Sequence, residues 1–98
     1  MRLTAAETAA LREALRGEAV ARVFLFGSRT DDSRRGGDVD LLLFSTDAPL
    51  ALAHRVSSRY ARLMDGRLDV LVIDPTRQTP EQQAFLANIE TVPLDGRF

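Results

Sequence analysis

Apolar and polar residues alternate between two periods along the chain, and the switches between them mark the elements. Thr4 is followed three residues later by Glu7, and Leu11 and Leu15 then recur at helical spacing up to Gly17. This is a capping box, an apolar stripe and a terminating glycine, which predicts a first helix at about 4 to 16. Val20 to Phe26 is rich in β-branched and aromatic residues and ends in Gly27, as a buried strand does. A polar, glycine-bounded loop, GSRTDDSRRGG, separates it from a second apolar run at Val39 to Phe44. Asp47 and Pro49 open a second helix with Leu52, Val56, Leu63 and Met64 as its apolar face, closed by Gly66. Leu68 to Ile73 is a third strand, ended by Asp74-Pro75. Thr79-Pro80-Glu81-Gln82 starts a third helix with Phe85, Leu86 and Ile89 as its stripe. Thr91 to Leu94 adds a short strand, placed at a sheet edge by Pro93. The order predicts an α/β (α+β) domain, a small mixed sheet of three to four strands with flanking helices.

Composition narrows the chemistry more than the fold. The 98 residues fit one domain spanning 1–98, and no repeat or low-complexity linker divides them. No apolar run exceeds four residues, and the first residues carry acids without an apolar signal core, so the expected location is cytoplasmic with no membrane partner. Zero cysteine excludes disulfides, thiolate metal sites and cysteine nucleophiles. All 13 basic residues are arginine, which excludes lysine nucleophiles and Schiff bases. A net charge of −1 argues against binding nucleic acid through bulk electrostatics.

What remains is carboxylate chemistry, and three aspartates stand where aspartate is usually depleted. Asp38 and Asp40 head the second strand run and Asp69 lies inside the third. Residues at i and i+2 of a strand share a face, about 7 Å apart along it, so Asp38 and Asp40 point to one spot. Paired carboxylates repel unless a divalent cation accepts oxygens from both, and magnesium suits a site of few carboxylates plus water and phosphate. Asp69 can add a third donor if the two strands are neighbours, and three convergent carboxylates can hold two ions that clamp an in-line displacement at phosphorus. Capping of a loop in solvent is the plainer alternative for the pair, and a solvent-facing strand position is the plainer one for Asp69. Gly27-Ser28, directly after a strand, lets a phosphate approach backbone N–H groups and a hydroxyl. A simple glycine turn is its alternative.

Taken together, Gly27-Ser28, nine residues, then Asp38-Val39-Asp40 followed by Leu41-Leu42-Leu43, with Asp69 on a later strand, resembles the DNA polymerase beta-like nucleotidyltransferase superfamily. More narrowly it resembles the minimal nucleotidyltransferases, the MNT proteins of prokaryotes. The resemblance spans Val23 to Ile73, about half the chain. It implies a polymerase beta-like nucleotidyltransferase fold and an enzyme of the protein adenylyltransferase type, which moves a nucleoside monophosphate from ATP to an acceptor hydroxyl. It also implies nucleotide binding at Gly27 and Ser28 with Arg29, two Mg2+ ions on Asp38 and Asp40, and Asp69 as ligand of the catalytic ion and helper in deprotonating the acceptor. By the same resemblance the partner is a HEPN-domain toxin, with this chain as its antitoxin in a toxin–antitoxin hetero-oligomer. The chain departs from the family after Ser28, where Arg29 is followed by Thr30, Asp31 and Asp32 rather than a basic, flexible segment. Arg34 and Arg35 lie in the same loop and can fork onto phosphate oxygens, a solvated loop being the alternative. The altered loop keeps a second reading open: a non-catalytic antitoxin or binding module that neutralises its partner by contact.

Arg55, Arg59 and Arg62 make a basic stripe on the second helix, read as a solvated face, with an acidic partner or RNA as the alternative. His54 falls off the apolar face of that helix, and Tyr60 is read as packing. Leu94 and Phe98 either hang loose or dock on a partner. Because half of so short a chain builds the metal site, recognition of the acceptor is expected to depend on a second chain.

Overall fold

A computed structural model describes residues 3–27 and 39–94. The elements run α1 (Ala5–Ala14), β1 (Arg22–Phe26), β2 (Val39–Phe44), α2 (Pro49–Leu63), β3 (Leu68–Ile73), α3 (Pro80–Asn88) and β4 (Thr91–Pro93). They form the expected mixed α/β arrangement, a four-stranded sheet in the order β3-β2-β1-β4. β1 runs antiparallel to both β2 and β4, whereas β2 and β3 are parallel. A parallel pair requires a crossover, and α2 provides it.

The two faces of the sheet differ. Val23, Leu25, Val39, Leu41, Leu43, Leu68 and Val72 point to one side, where Leu11 and Ala14 of α1 and Leu52, Val56 and Tyr60 of α2 cover them. This is the period-two pattern of strands meeting the 3.6-residue stripe of two helices. α2 buries Leu52, Val56 and Tyr60, but Leu63, expected on that face, is 50 % exposed. By helical angle Leu63 shares the face of Leu52, Val56 and Tyr60, but it is the last residue of α2 and its exposure comes at the helix end. Leu94, whose N–H donates to the Val23 carbonyl at 2.9 Å, is fully buried in the same core and so is neither loose nor free for a partner.

The opposite face carries Phe24, Phe26, Asp40, Leu42, Phe44, Asp69, Leu71 and Ile73. Phe24 and Phe44 meet edge to face, with centroids 5.5 Å apart, and Arg22 lies 4.8 Å above the Phe24 ring. α3 touches this face through Phe85, edge-on to Phe26 at 5.8 Å. The helix has the capping box and N1 proline read from sequence, yet it buries no residue. Its stripe is correspondingly shorter than expected, since Ile89 ends the helix as its C-cap.

One polar cluster ties the helical layer together. Glu18, 7 % exposed in its side chain, accepts from Arg55 Nε at 3.0 Å and Nη2 at 2.9 Å, and from Arg59 Nη1 at 2.7 Å. Arg55 also donates to Asp47 Oδ2, and Arg59 to the Ala14 carbonyl at the end of α1. Two members of the basic stripe on α2 are therefore committed within the chain. The hydrogen bond from Arg55 is the main reason that the Glu18 carboxyl is held below its ordinary pKa, against the opposing effect of burial. Ser45 fixes the turn before α2: its Oγ donates to the Ala19 carbonyl at 2.6 Å and accepts from the Asp47 N–H. No helix among the described residues is long and apolar enough to cross a membrane.

Candidate functional site

Strand register brings the candidate residues together at one end of the sheet. Asp40 is paired with Asp69 across the parallel β2–β3 ladder, and with Phe26, the last residue of β1, across the antiparallel β1–β2 ladder. Gly27 follows Phe26. Three neighbouring strands thus present Gly27, Asp40 and Asp69 side by side, the two aspartates on the face away from α1 and α2. Adjacent strands lie about 4.8 Å apart, so the two aspartates are neighbours at one level on adjoining strands.

Gly27 is essential to this arrangement for a steric reason. Its φ is +76°, a conformation open to glycine and unfavourable for L side chains. A Cβ built there would collide with the Asp40 carboxylate. The Asp40 side chain therefore occupies the space that a side chain at position 27 would need, which packs the carboxylate against the backbone at the end of β1. At this end of the sheet Gly27 is exposed and Asp40 is half-buried.

Asp69 is half-exposed, at 46 % in its side chain, and Arg67 Nη2 donates to its Oδ2 at 3.1 Å. Arg67 lies two residues before Asp69, so strand periodicity puts both on one face. That partnership was not read from the sequence, although the i, i+2 spacing carries the signal. A shallow groove of about 430 Å3 opens beside Asp69, between the last turns of α2 and the start of β3, with Ser57, Ser58, Ala61 and Arg67 in its walls.

Asp40 and Asp69 bring carboxylate oxygens, the donor type that hard divalent cations take. Two adjoining carboxylates of like charge offer only oxygen, which suits magnesium over softer metals. Among the described residues no group of three or more acidic or histidine side chains converges on one point. Asp38, the third predicted carboxylate, lies outside the described residues, as do Ser28, Arg29, Arg34 and Arg35. Of the predicted site, the structure brings together Gly27, Asp40 and Asp69. His54 is exposed on α2, away from the sheet, and plays no part in it.

No family model matches the chain, and a search of curated proteins finds no match either.

Proposed function

We propose that the chain is a magnesium-dependent nucleotidyltransferase of the minimal, polymerase beta-like type, transferring AMP from ATP to an acceptor hydroxyl. The observation that carries the reading is the register of Gly27, Asp40 and Asp69 on three neighbouring strands. A sheet end with a Cβ-free backbone turn beside two carboxylates can take a phosphate chain and its counter-ion together. Asp40, with Asp38 two residues before it, would hold magnesium, and Asp69 would share in it. Bound there, magnesium neutralises charge on the triphosphate and on the leaving pyrophosphate.

The residues of the chain supply the rest. Gly27 makes room for the Asp40 carboxylate, and Ser28, Arg29, Arg34 and Arg35, which lie outside the described residues, would donate to the phosphates. The acceptor hydroxyl enters by the groove beside Asp69. Its oxygen bonds to the α-phosphorus as the bond to pyrophosphate breaks, and Asp69 takes the hydroxyl proton. Nothing in this sequence of events requires a thiol or an amine, in keeping with a chain that has neither cysteine nor lysine. The family resemblance adds a HEPN-type toxin as acceptor and partner, with the chain acting as its antitoxin.

The Arg67–Asp69 ion pair favours a second reading. A carboxylate neutralised by its own strand needs no cation, as expected of a binding module that keeps the fold and neutralises a partner by contact. The two readings separate in one experiment. The purified chain is incubated with magnesium, α-labelled ATP and the protein encoded beside it, and label transfer and pyrophosphate release are followed. Transfer that is lost in both Asp40→Asn and Asp69→Asn supports the enzyme. Transfer that survives both changes refutes the site, and absence of transfer alongside tight complex formation supports the contact module.

A further inference from the structure

Away from the sheet end, a trough runs between α1 and α2 on the outer surface of the helical layer. Two shallow depressions of about 380 and 310 Å3 adjoin there, with Glu13 and Leu63 in the walls of both. The floor of the trough at one end is apolar, made by Ala6, Ala9 and Ala10 of α1 against Leu63 and Met64. At the other end it is walled by Arg16, Arg59 and Arg62. From Ala6 to Ala14 the groove follows about 12 Å of α1, and Arg16 stands just beyond the end of that helix.

Two observations mark this groove as more than a seam. Leu63, the last residue of α2, is 50 % exposed and lines both depressions. An apolar side chain held at a groove lip offers an anchor contact to whatever fills it. The charges are also unbalanced. Arg16 is paired with Glu13 at 2.9 Å, and Arg59 commits its Nη1 to Glu18 and the Ala14 carbonyl. Arg62 has no ion-pair partner among the described residues. The basic end therefore carries one uncompensated cation, and the unused N–H groups of Arg59 add further donors for a carboxylate.

We infer that the α1–α2 groove is a docking site for an amphipathic helix of a partner protein, with apolar anchors along one stripe and acidic residues in the turn that meets Arg59 and Arg62. A trough between two helices accepts a third by packing ridges into grooves, and an extended strand would find no sheet edge there. The charge pattern sets the polarity of the incoming helix, because the reversed orientation would put its carboxylates over Ala6 and Met64. This inference is independent of the reaction proposed for the sheet end.

The probe is a synthetic helix of about sixteen residues with leucines at i, i+4 and i+7 and glutamates in its final turn, fluorescently labelled. Its binding to the full chain is followed by fluorescence anisotropy. Saturable binding that weakens at least about tenfold in Leu63→Glu and in Arg62→Glu, and that falls with added salt, supports the site. Both positions are exposed, so unchanged circular dichroism and melting temperature will show that the variants fold. No saturable binding overturns the inference. So does equal binding of a control peptide with lysines in place of the glutamates. Concentration-dependent dimerisation of the chain that Leu63→Glu abolishes, without peptide binding, would assign the groove to a second copy and overturn it too.

Discussion

Gly27→Ala tests whether the end of the sheet is built as described, because the substitution adds one methyl group at the point where β1 meets Asp40. Two penalties are expected. An L side chain at φ +76° costs about 1–2 kcal/mol of backbone strain. The new Cβ also meets the Asp40 carboxylate, which must rotate off its rotamer at a further cost of about 0.5–1.5 kcal/mol. The total, about 1.5–3.5 kcal/mol, corresponds to a fall in Tm of roughly 6–28 °C for a domain of this size. Urea unfolding of four proteins, wild type, Gly27→Ala, Asp40→Ala and the double variant, isolates the contact between the two positions. In the Asp40→Ala background the steric penalty vanishes, and Gly27→Ala should cost only the backbone portion. A coupling energy of about 0.5–1.5 kcal/mol is the expected result. If the two substitutions add within about 0.3 kcal/mol, or Gly27→Ala costs less than about 0.5 kcal/mol, the carboxylate is not packed against the glycine and the geometry assigned to the site fails.

Other parts of the fold give further expectations. Leu41→Ala opens a cavity in the central strand, where Leu41 is fully buried, and should cost about 2–5 kcal/mol in chemical denaturation. Phe85→Ala should cost less than about 1.5 kcal/mol, because α3 buries no residue; hydrogen exchange should show α3 amides exchanging well before those of β2. Glu18→Gln removes the charge that Arg55 and Arg59 share, and should lower Tm at neutral pH but not in acid. The sign follows from the lowered folded-state pKa of Glu18: its contribution is present above the ordinary value of 4.5 and is lost as pH falls through and below it, so wild type and variant melting temperatures should converge there. Arg67→Ala releases Asp69 from its ion pair, and if Asp69 holds magnesium the variant should gain thermal protection from the ion at lower concentration than wild type does.

The location of the site follows from the strand order. Asp40 lies on a central strand, flanked by β1 on one side and β3 on the other, so only a residue at the start of that strand can stand between a β1 turn and a β3 carboxylate. Its charge is tolerated because the face it points to is the one that α1 and α2 leave uncovered. One residue further along, Leu41 points into the core and is fully buried. A one-residue slip of β2 would turn Asp40 into the core beneath α1 and α2, so the cost of burying its charge holds the carboxylate on the other face.

The sequence by itself determined the element order, both capping boxes, the glycine after β1 and the strand positions of Asp40 and Asp69, because each depends on local periodicity or on a few neighbouring residues. Tertiary structure decided what local pattern could not reach. It set the pairing of Asp40 with Asp69, which requires β2 and β3 to be parallel and in one particular register. It filled the space over Gly27 with a carboxylate from another strand. It also sorted the apolar residues of helical spacing into those that are buried, such as Tyr60, and those that are not, such as Leu63 and the stripe of α3, since periodicity names a face without saying whether anything covers it. The arginines of α2 show the same limit: Arg55, Arg59 and Arg62 are one stripe in sequence, yet a single carboxylate from the α1–β1 connection, Glu18, takes two of them and leaves Arg62 to face outward.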